Sequence, residues 1–378
     1  MDSRKEKKYI LANGSVQTLA ASLLCIILGL LVGYIVLLLI DPAGAGRALT
    51  SILKNFLYFP RPEVALEYFG STLAKSAPLL MCTLSVLFAY KVGLFNIGAS
   101  GQFTVGAGFA LYFAIHYSAP WWVCLLLAML GGAVLGAVAG ALKAYLNVNE
   151  VISCIMLNWI SLYSINTLLT AVKESGTTYT LPLRTNAPGA ILPHCGLQHL
   201  FADNRYVTIA IPLSIIFAVI VWVILEKTKL GYELKATGLS VNAAKYAGMK
   251  EKKNMILAMA LSGALAGLGA AFLYLSGIEQ WSCAQTAVPN MGFNGIAAAF
   301  LGGLHPVGAV FSSFFIQHIT SGGAYVDKMV YCSQISDLIT AIIIYFCGFV
   351  LFIKHCMNRR IQKLEDKKAA AETQKGEE

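Results

Sequence analysis

Charged side chains are scarce in this sequence. Asp, Glu, Lys and Arg make up 12% of its 378 residues, about half the ~25% of an ordinary soluble domain. They are also bunched. Between Lys91 and Lys143 there are none, and from Asn254 to Val326 Glu279 stands alone. Runs of this length exceed the ~20 apolar residues with which a helix crosses a bilayer. With 57% of residues hydrophobic, the chain carries more apolar surface than a globular core of its length can hide. A soluble enzyme, a secreted disulfide scaffold and a disordered tail are excluded.

Chemical motifs are missing too. No Gly precedes a Lys, so there is no Walker A loop, and HExxH and other His–carboxylate clusters at metal spacing are absent. Gly106-x-Gly108 lacks the third Gly of a dinucleotide fingerprint and sits in an apolar run. The nine Cys include no CxxC. No nucleophile–base constellation stands out, so no catalytic residue, metal or cofactor is expected and the chain is not read as an enzyme. Within the apolar runs, Lys75 and Glu150 lie near ends and Asp337 near the start of the last, while His305 and His318 flank a broken run. Proton- or sodium-coupled carriers bury ionisable groups at the midplane. Their thinness here leaves an ATP-independent secondary transporter as the lesser alternative and points to an energy source in another chain.

What is present is a succession of apolar runs, near 18–40, 72–90, 94–115, 121–142, 150–172, 206–225, 254–277, 292–304, 306–320 and 335–354. The expected fold is all-α: a polytopic helical membrane protein with about 10 transmembrane segments, including broken or short helices near 292–320. Pro289, Pro306 and Gly302-Gly303 make those breaks. Broken helices at membrane depth survive only where protein or a water-filled cavity satisfies the loose backbone groups. The net charge of +9 is a topology signal rather than a nucleic-acid footprint. Threaded from a cytoplasmic N-terminus, Lys and Arg fall mostly inside while Asp and Glu show little bias. Residues 1–17 are then a cytoplasmic segment, 18–354 the membrane domain and 355–378 a charged cytoplasmic tail. Basic residues at Arg4–Lys8 and around Arg359–Lys368 can also grip anionic membrane lipid.

Gly132, Gly136 and Gly140, and again Gly263 and Gly267, repeat every fourth residue. That spacing lets helix backbones approach closely, and packing within one chain is favoured over a dimer seam. Asp41–Phe69 and Lys173–Arg205 are expected outside, the second long enough to cap the mouth of a pore. Cys195, Cys283 and Cys332 fall on that side, which leaves one disulfide open. Glu226–Lys253 holds seven Lys and three Glu and is expected in the cytoplasm. Within it Ser240 is a good N-cap and Gly248 a good helix stop. They bracket about two helical turns, Val241–Ala247, suited to docking in another protein's cleft or to serving as a plain connector.

That loop carries a resemblance. Asn242-Ala243-Ala244-x-x-x-Gly248 resembles the coupling motif Glu-Ala-Ala-x-x-x-Gly of ABC importer permeases, with Asn242 in place of Glu. The preceding Gly231-Tyr-Glu233-Leu-Lys-Ala-Thr-Gly238 is similar to the G-x-x-L-R/K-A-x-G of the branch that serves branched-chain amino acids, simple sugars and nucleosides. Gly93-Leu-Phe-Asn-Ile-Gly-Ala-Ser-Gly-Gln102 and Gly292-Phe-Asn-Gly…Gly303 with His305-Pro306 resemble two further motifs of that branch, in matching order. The long first outer segment looks most like nucleoside-import permeases, with ribose-type sugar permeases next. The resemblance implies a bacterial inner-membrane subunit with both termini cytoplasmic. It implies three partners: an ABC ATPase, a second permease forming a heterodimer, and an extracytoplasmic substrate-binding lipoprotein.

On that reading the ATPase couples through Glu233, Gly238, Asn242, Ala243, Ala244, Lys245, Tyr246 and Gly248. Small Ala243 and Ala244 permit close seating, Tyr246 anchors and Lys245 pairs with acid. Uncharged amides in or beside apolar runs both donate and accept. Asn96, Gln102, Asn158 and Asn294, with Phe95, Trp159 and Phe293 beside them, are therefore expected to line a path for a neutral solute. The competing role for such amides is to pin helices together.

Overall fold

The computed structural model describes residues 14–327, 330–331, 335–350 and 352–359. The lipid contact expected at Arg4–Lys8, most of that at Arg359–Lys368, and Cys332 lie outside them. No strand occurs among the described residues beyond two isolated bridges. The helices used below are α1 (Gly14–Ile40), α2 (Ala45–Lys54), α3 (Pro62–Lys91), α4 (Ala99–Tyr117), α5 (Trp121–Leu146), α6 (Glu150–Leu169), α7 (Ala210–Lys227), α8 (Lys229–Leu239), α9 (Val241–Tyr246), α10 (Glu251–Tyr274), α11 (Met291–Leu301), α12 (Pro306–Gly322) and α13 (Ile335–Cys347). Among the described residues, six helices are long and apolar enough to cross a membrane. A bent pair, Asp337–Cys347 with Phe352–Arg359, makes a seventh candidate. Helix α4 is long enough, but Gln102, two mid-helix glycines and its terminal His116 dilute its apolar character. The expected span at 94–115 starts late, because residues 92–98 form a turn instead of helix.

The chain divides into two compact units. In the one made of residues 1–49 and 327–378, α1 packs on α13. Gly29 is the contact point, since a Cβ there would fall 2.7 Å from the Ile343 Cα.

In the other, Thr50–Val326, α10 is the central post, packed against α5, α3 and α4. The glycine repeats make its closest contact. A Cβ on Gly136 would sit 2.1 Å from the Met259 carbonyl oxygen, and one on Gly267 2.2 Å from that of Ala128. The GxxxG stripes of α5 and α10 thus face each other within one chain, as the spacing predicts. Buried Phe88, Phe103 and Phe272 fill the space beside this post. Helix α3 is largely buried from Gly70 to Ala89 and also receives α11, α12 and α7.

Two sets of connections lie at opposite ends of α10, whose 24 residues span about 36 Å at 1.5 Å per residue. At its start are α8 and α9. Beyond its end, 275–290 packs on the long 173–205 segment. Thr180 donates its N–H to the Trp281 carbonyl at 3.0 Å, and Leu192 does the same to Leu275 at 3.1 Å. The buried Trp281 indole donates to Asn166 Oδ1 at 2.9 Å. The 173–205 segment therefore lies against the connection that leaves the end of α10. Cys195 and Cys283 are both free thiols.

Candidate functional site

The turn after α3 places the first amide. Asn96 is fully buried, and its Nδ2 donates to Gln102 Oε1 at 2.7 Å and to Ser262 Oγ at 2.7 Å. Gln102 returns a bond to Asn96 Oδ1 at 3.2 Å, and Ser262 donates to the Ser85 carbonyl at 2.7 Å. Three helices and a turn are thereby tied at one point. Asn158, one helix over on α6, accepts from the Gly101 N–H at 2.8 Å and donates to the Ile97 carbonyl at 3.1 Å. It satisfies one of the free N–H groups that open any helix. Asn96, Gln102 and Asn158 are thus brought together with their polar atoms engaged inside the unit.

The other expected path residues sit differently. On α11, Asn294 is half-buried, its amide makes no hydrogen bond among the described residues, and Phe293 beside it is exposed. Phe95 is half-buried against Phe300 of α11, ring centroids 6.4 Å apart. Trp159 is exposed on α6 and stacks on Tyr163, on the face turned away from Asn158.

One feature has no signal in local sequence. The starts of α4 and α11 abut: a Cβ on Gly292 would fall 2.4 Å from both the N and the Oγ of Ser100. The Ser100 hydroxyl is buried there without a hydrogen-bond partner among the described residues. Only a glycine at 292 permits this junction of two segments nearly two hundred positions apart. The parallel of Phe95-Asn96-x-Gly98 and Phe293-Asn294-Gly295 is its only trace.

At the other end of α10, Ser240 Oγ accepts from the Ala243 N–H at 3.3 Å, and Gly248 closes α9 at φ +78°. Thr228 caps α8 in the same manner, accepting from the Gly231 N–H at 3.1 Å. Helix α8 carries two glycines, Gly231 and Gly238, which weaken a helix by propensity. Both are contact points. A Cβ on Gly231 would meet the Ile224 carbonyl oxygen at 2.1 Å, and one on Gly238 would lie 2.4 Å from the Val92 carbonyl. The opposing residue, Gly93, holds φ +77°. Helix α8 thus rests by its backbone on the turn that carries Asn96. Asn254 of α10 adds a bond from its Nδ2 to Thr237 Oγ1 at 3.0 Å. Glu233 pairs with Lys229 at 3.7 Å.

In α9, Ala244 alone is buried, facing its own chain. Asn242, Ala243 and Lys245 are exposed, and Tyr246 and, just before the cap, Leu239 stand 94% and 89% exposed. The bare face of the short helix is therefore the Tyr246 and Leu239 side rather than Ala244.

Asn96→Leu is expected to leave Gln102 and Ser262 with broken bonds in a dry site. The cost is ~1–3 kcal/mol, read as a lower melting temperature of the purified chain. An unchanged melting temperature would mean that the network does not brace the helices.

A family model described as branched-chain amino acid transport system / permease component matches residues 68–348. Among characterised proteins, the chain is similar to the nucleoside ABC transporter permease protein NupB of Lactococcus lactis subsp. cremoris, 33% identical over 319 residues, covering 81% of this chain and 85% of that one. It is also similar to the guanosine ABC transporter permease protein NupP of Bacillus subtilis, 32% identical over 352 residues, covering 91% of this chain and 97% of that one. The glucose ABC transporter permease protein TsgB13 of Haloferax volcanii is 29% identical over 298 residues, 75% of this chain and 77% of that one. No solved structure matches.

Proposed function

The chain belongs to the family of branched-chain amino acid transport system permease components and is a multi-pass membrane protein, and from that premise we propose that it imports nucleosides as one of two permease subunits of an ABC transporter. A separate ATPase binds α9, and an extracytoplasmic binding lipoprotein delivers the solute to the opposite end. The α8–α9 end and both chain termini then face the cytoplasm.

The observation that carries this reading is the seat of α8. A helix with a bare apolar tip rests, glycine on glycine, on the turn holding Asn96. A push on Tyr246 and Leu239 is thereby passed through Gly238 and Gly93 to the junction of α4 and α11. Because Asn96 and Gln102 are bonded to each other and Asn158 is bonded to the backbone of Gly101 and Ile97 beside them in this state, they serve the path as its closed brace. Asn294 and Phe293 are the members free to meet solute. A neutral nucleoside suits such a passage, offering hydroxyls and ring nitrogens to amides and a flat ring to Phe293.

The nucleoside assignment rests on the named relatives NupB and NupP, and the glucose permease among them supports simple sugars as the second reading. Proteoliposomes holding the whole transporter decide between them. ATP-dependent uptake of labelled guanosine, unaffected by excess glucose or ribose, is expected. Uptake of sugar without nucleoside would establish the second reading, and uptake without nucleotide would overturn both.

A further inference from the structure

At the end of α10 away from α8 and α9 lies a cavity of about 270 Å³, near the lower edge of small-ligand sites (~300–1,000 Å³), walled by the segments 180–206 and 274–280. Tyr274, the last residue of α10, forms part of its floor. It is 95% buried, and its hydroxyl makes no hydrogen bond among the described residues. On one wall Glu279 likewise lacks any hydrogen bond or ion pair among them. On the other, Arg184 and Arg205 clasp Tyr206, their guanidinium carbons 5.8 and 5.0 Å from the ring centre. Arg184 donates to the Arg205 carbonyl at 3.1 Å and Arg205 to the Tyr206 hydroxyl at 2.8 Å. Each guanidinium offers five N–H donors, so most remain free. Gly277, at φ +71°, leaves the room in which Arg184 lies.

These groups select their ligand by charge. An anion would face Glu279, and a cation would face Arg184 and Arg205. Glu279 stands exposed at the rim, where partial burial by its neighbours raises its carboxyl above the usual carboxylate range and Lys75 on α3 opposes the shift. A neutral molecule with hydroxyl donors at one end and carbonyl or ring-nitrogen acceptors at the other satisfies both walls. We infer that this cavity is a reception site for a nucleoside, with Glu279 accepting from the ribose 2′- and 3′-hydroxyls and Arg184 and Arg205 donating to the base. Tyr274 adds one hydroxyl at the floor. The inference rests on the nucleoside reading above and assigns it residues that no transmembrane motif contains.

The test uses the complete transporter in proteoliposomes at saturating binding protein, with guanosine and 2′,3′-dideoxyguanosine as probes. Glu279→Gln is expected to lower kcat/KM for guanosine roughly tenfold, the worth of one charge-assisted hydrogen bond, and to leave the dideoxy analogue unchanged. Glu279→Asp should recover part of the loss. Tyr274→Phe, which removes one oxygen and disturbs no bond, should lower guanosine uptake about threefold. The binding protein is identical throughout, so its own preference cancels. Equal loss for both probes, with more binding protein needed for half-saturation, would make the cavity a docking seat for that protein and overturn the inference. So would unchanged guanosine uptake by Glu279→Gln and Tyr274→Phe. A wild-type transporter that carries sugar but no nucleoside would defeat the nucleoside reading and this inference together. Normal guanosine uptake by the wild type and by Glu279→Gln alike defeats this inference alone.

Discussion

Gly263→Leu is expected to abolish accumulation of folded protein. A Cβ at 263 would lie 2.1 Å from the Gly132 carbonyl oxygen, and one at 132 would lie 2.2 Å from that of Gly263. Both colliding atoms are main chain, so no side chain can yield, and α5 and α10 must separate along their length. Lipid offers no hydrophobic drive to hold them at a wider spacing, since close packing is itself the source of helix association in a bilayer. Ordinary overpacking costs ~1–3 kcal/mol. A backbone collision in the central post exceeds that and uses up much of a stability of ~5–15 kcal/mol. Detergent extracts run on a sizing column should show loss of the monodisperse peak for Gly263→Leu. Gly189→Ala, with nothing within 4 Å of the added atom, should keep it. A Gly263→Leu protein with a wild-type peak and melting temperature would disprove the contact.

This post was legible in the sequence because its signal is periodic: glycines every fourth residue on two helices have few uses other than to meet. The caps of α9 were legible for a related reason, since Ser240 and Gly248 act on backbone groups within three or four residues of themselves. Helix α8 was hidden by the same residue type. Gly231 and Gly238 weaken a helix by propensity, and only the nearness of Ile224 and Val92 shows why nothing larger stands there. The amides were half legible. Their clustering at Asn96, Gln102 and Asn158 could be expected, but an amide that lines a path and one that pins helices look alike in sequence, and their bonding partners decide. Trp159 was grouped with Asn158 by adjacency, although neighbours on a helix point about 100° apart. The Ser100–Gly292 junction and the Glu279 cavity join segments far apart in the chain and leave almost no local mark.

Tyr246→Asp combined with Leu239→Asp is expected to abolish ATP-driven uptake while leaving the chain folded. Both side chains are almost fully exposed, so the folded unit loses little. A partner cleft that receives them would have to bury two carboxylates without partners. An aromatic anchor at an interface contributes ≥ ~2 kcal/mol, ~30-fold in affinity, and the added charges deepen the loss. Ala244→Glu, the natural choice from the motif, is the poorer probe because Ala244 is buried against its own chain. A charge there would test folding before coupling. Gly238→Val separates attachment from transmission. Its added atoms collide with the Val92 carbonyl and lift α8 from the Asn96 turn, while Tyr246 stays bare. The double Asp variant should therefore purify without ATPase. Gly238→Val should purify with ATPase and hydrolyse ATP, yet accumulate under a tenth of the wild-type guanosine, a loss of about the size one strong contact supplies. Full uptake by Gly238→Val would show that force reaches the membrane helices by another route, through α10 and the Asn254–Thr237 bond. Full uptake by the double variant would show that the ATPase does not seat on α9 at all.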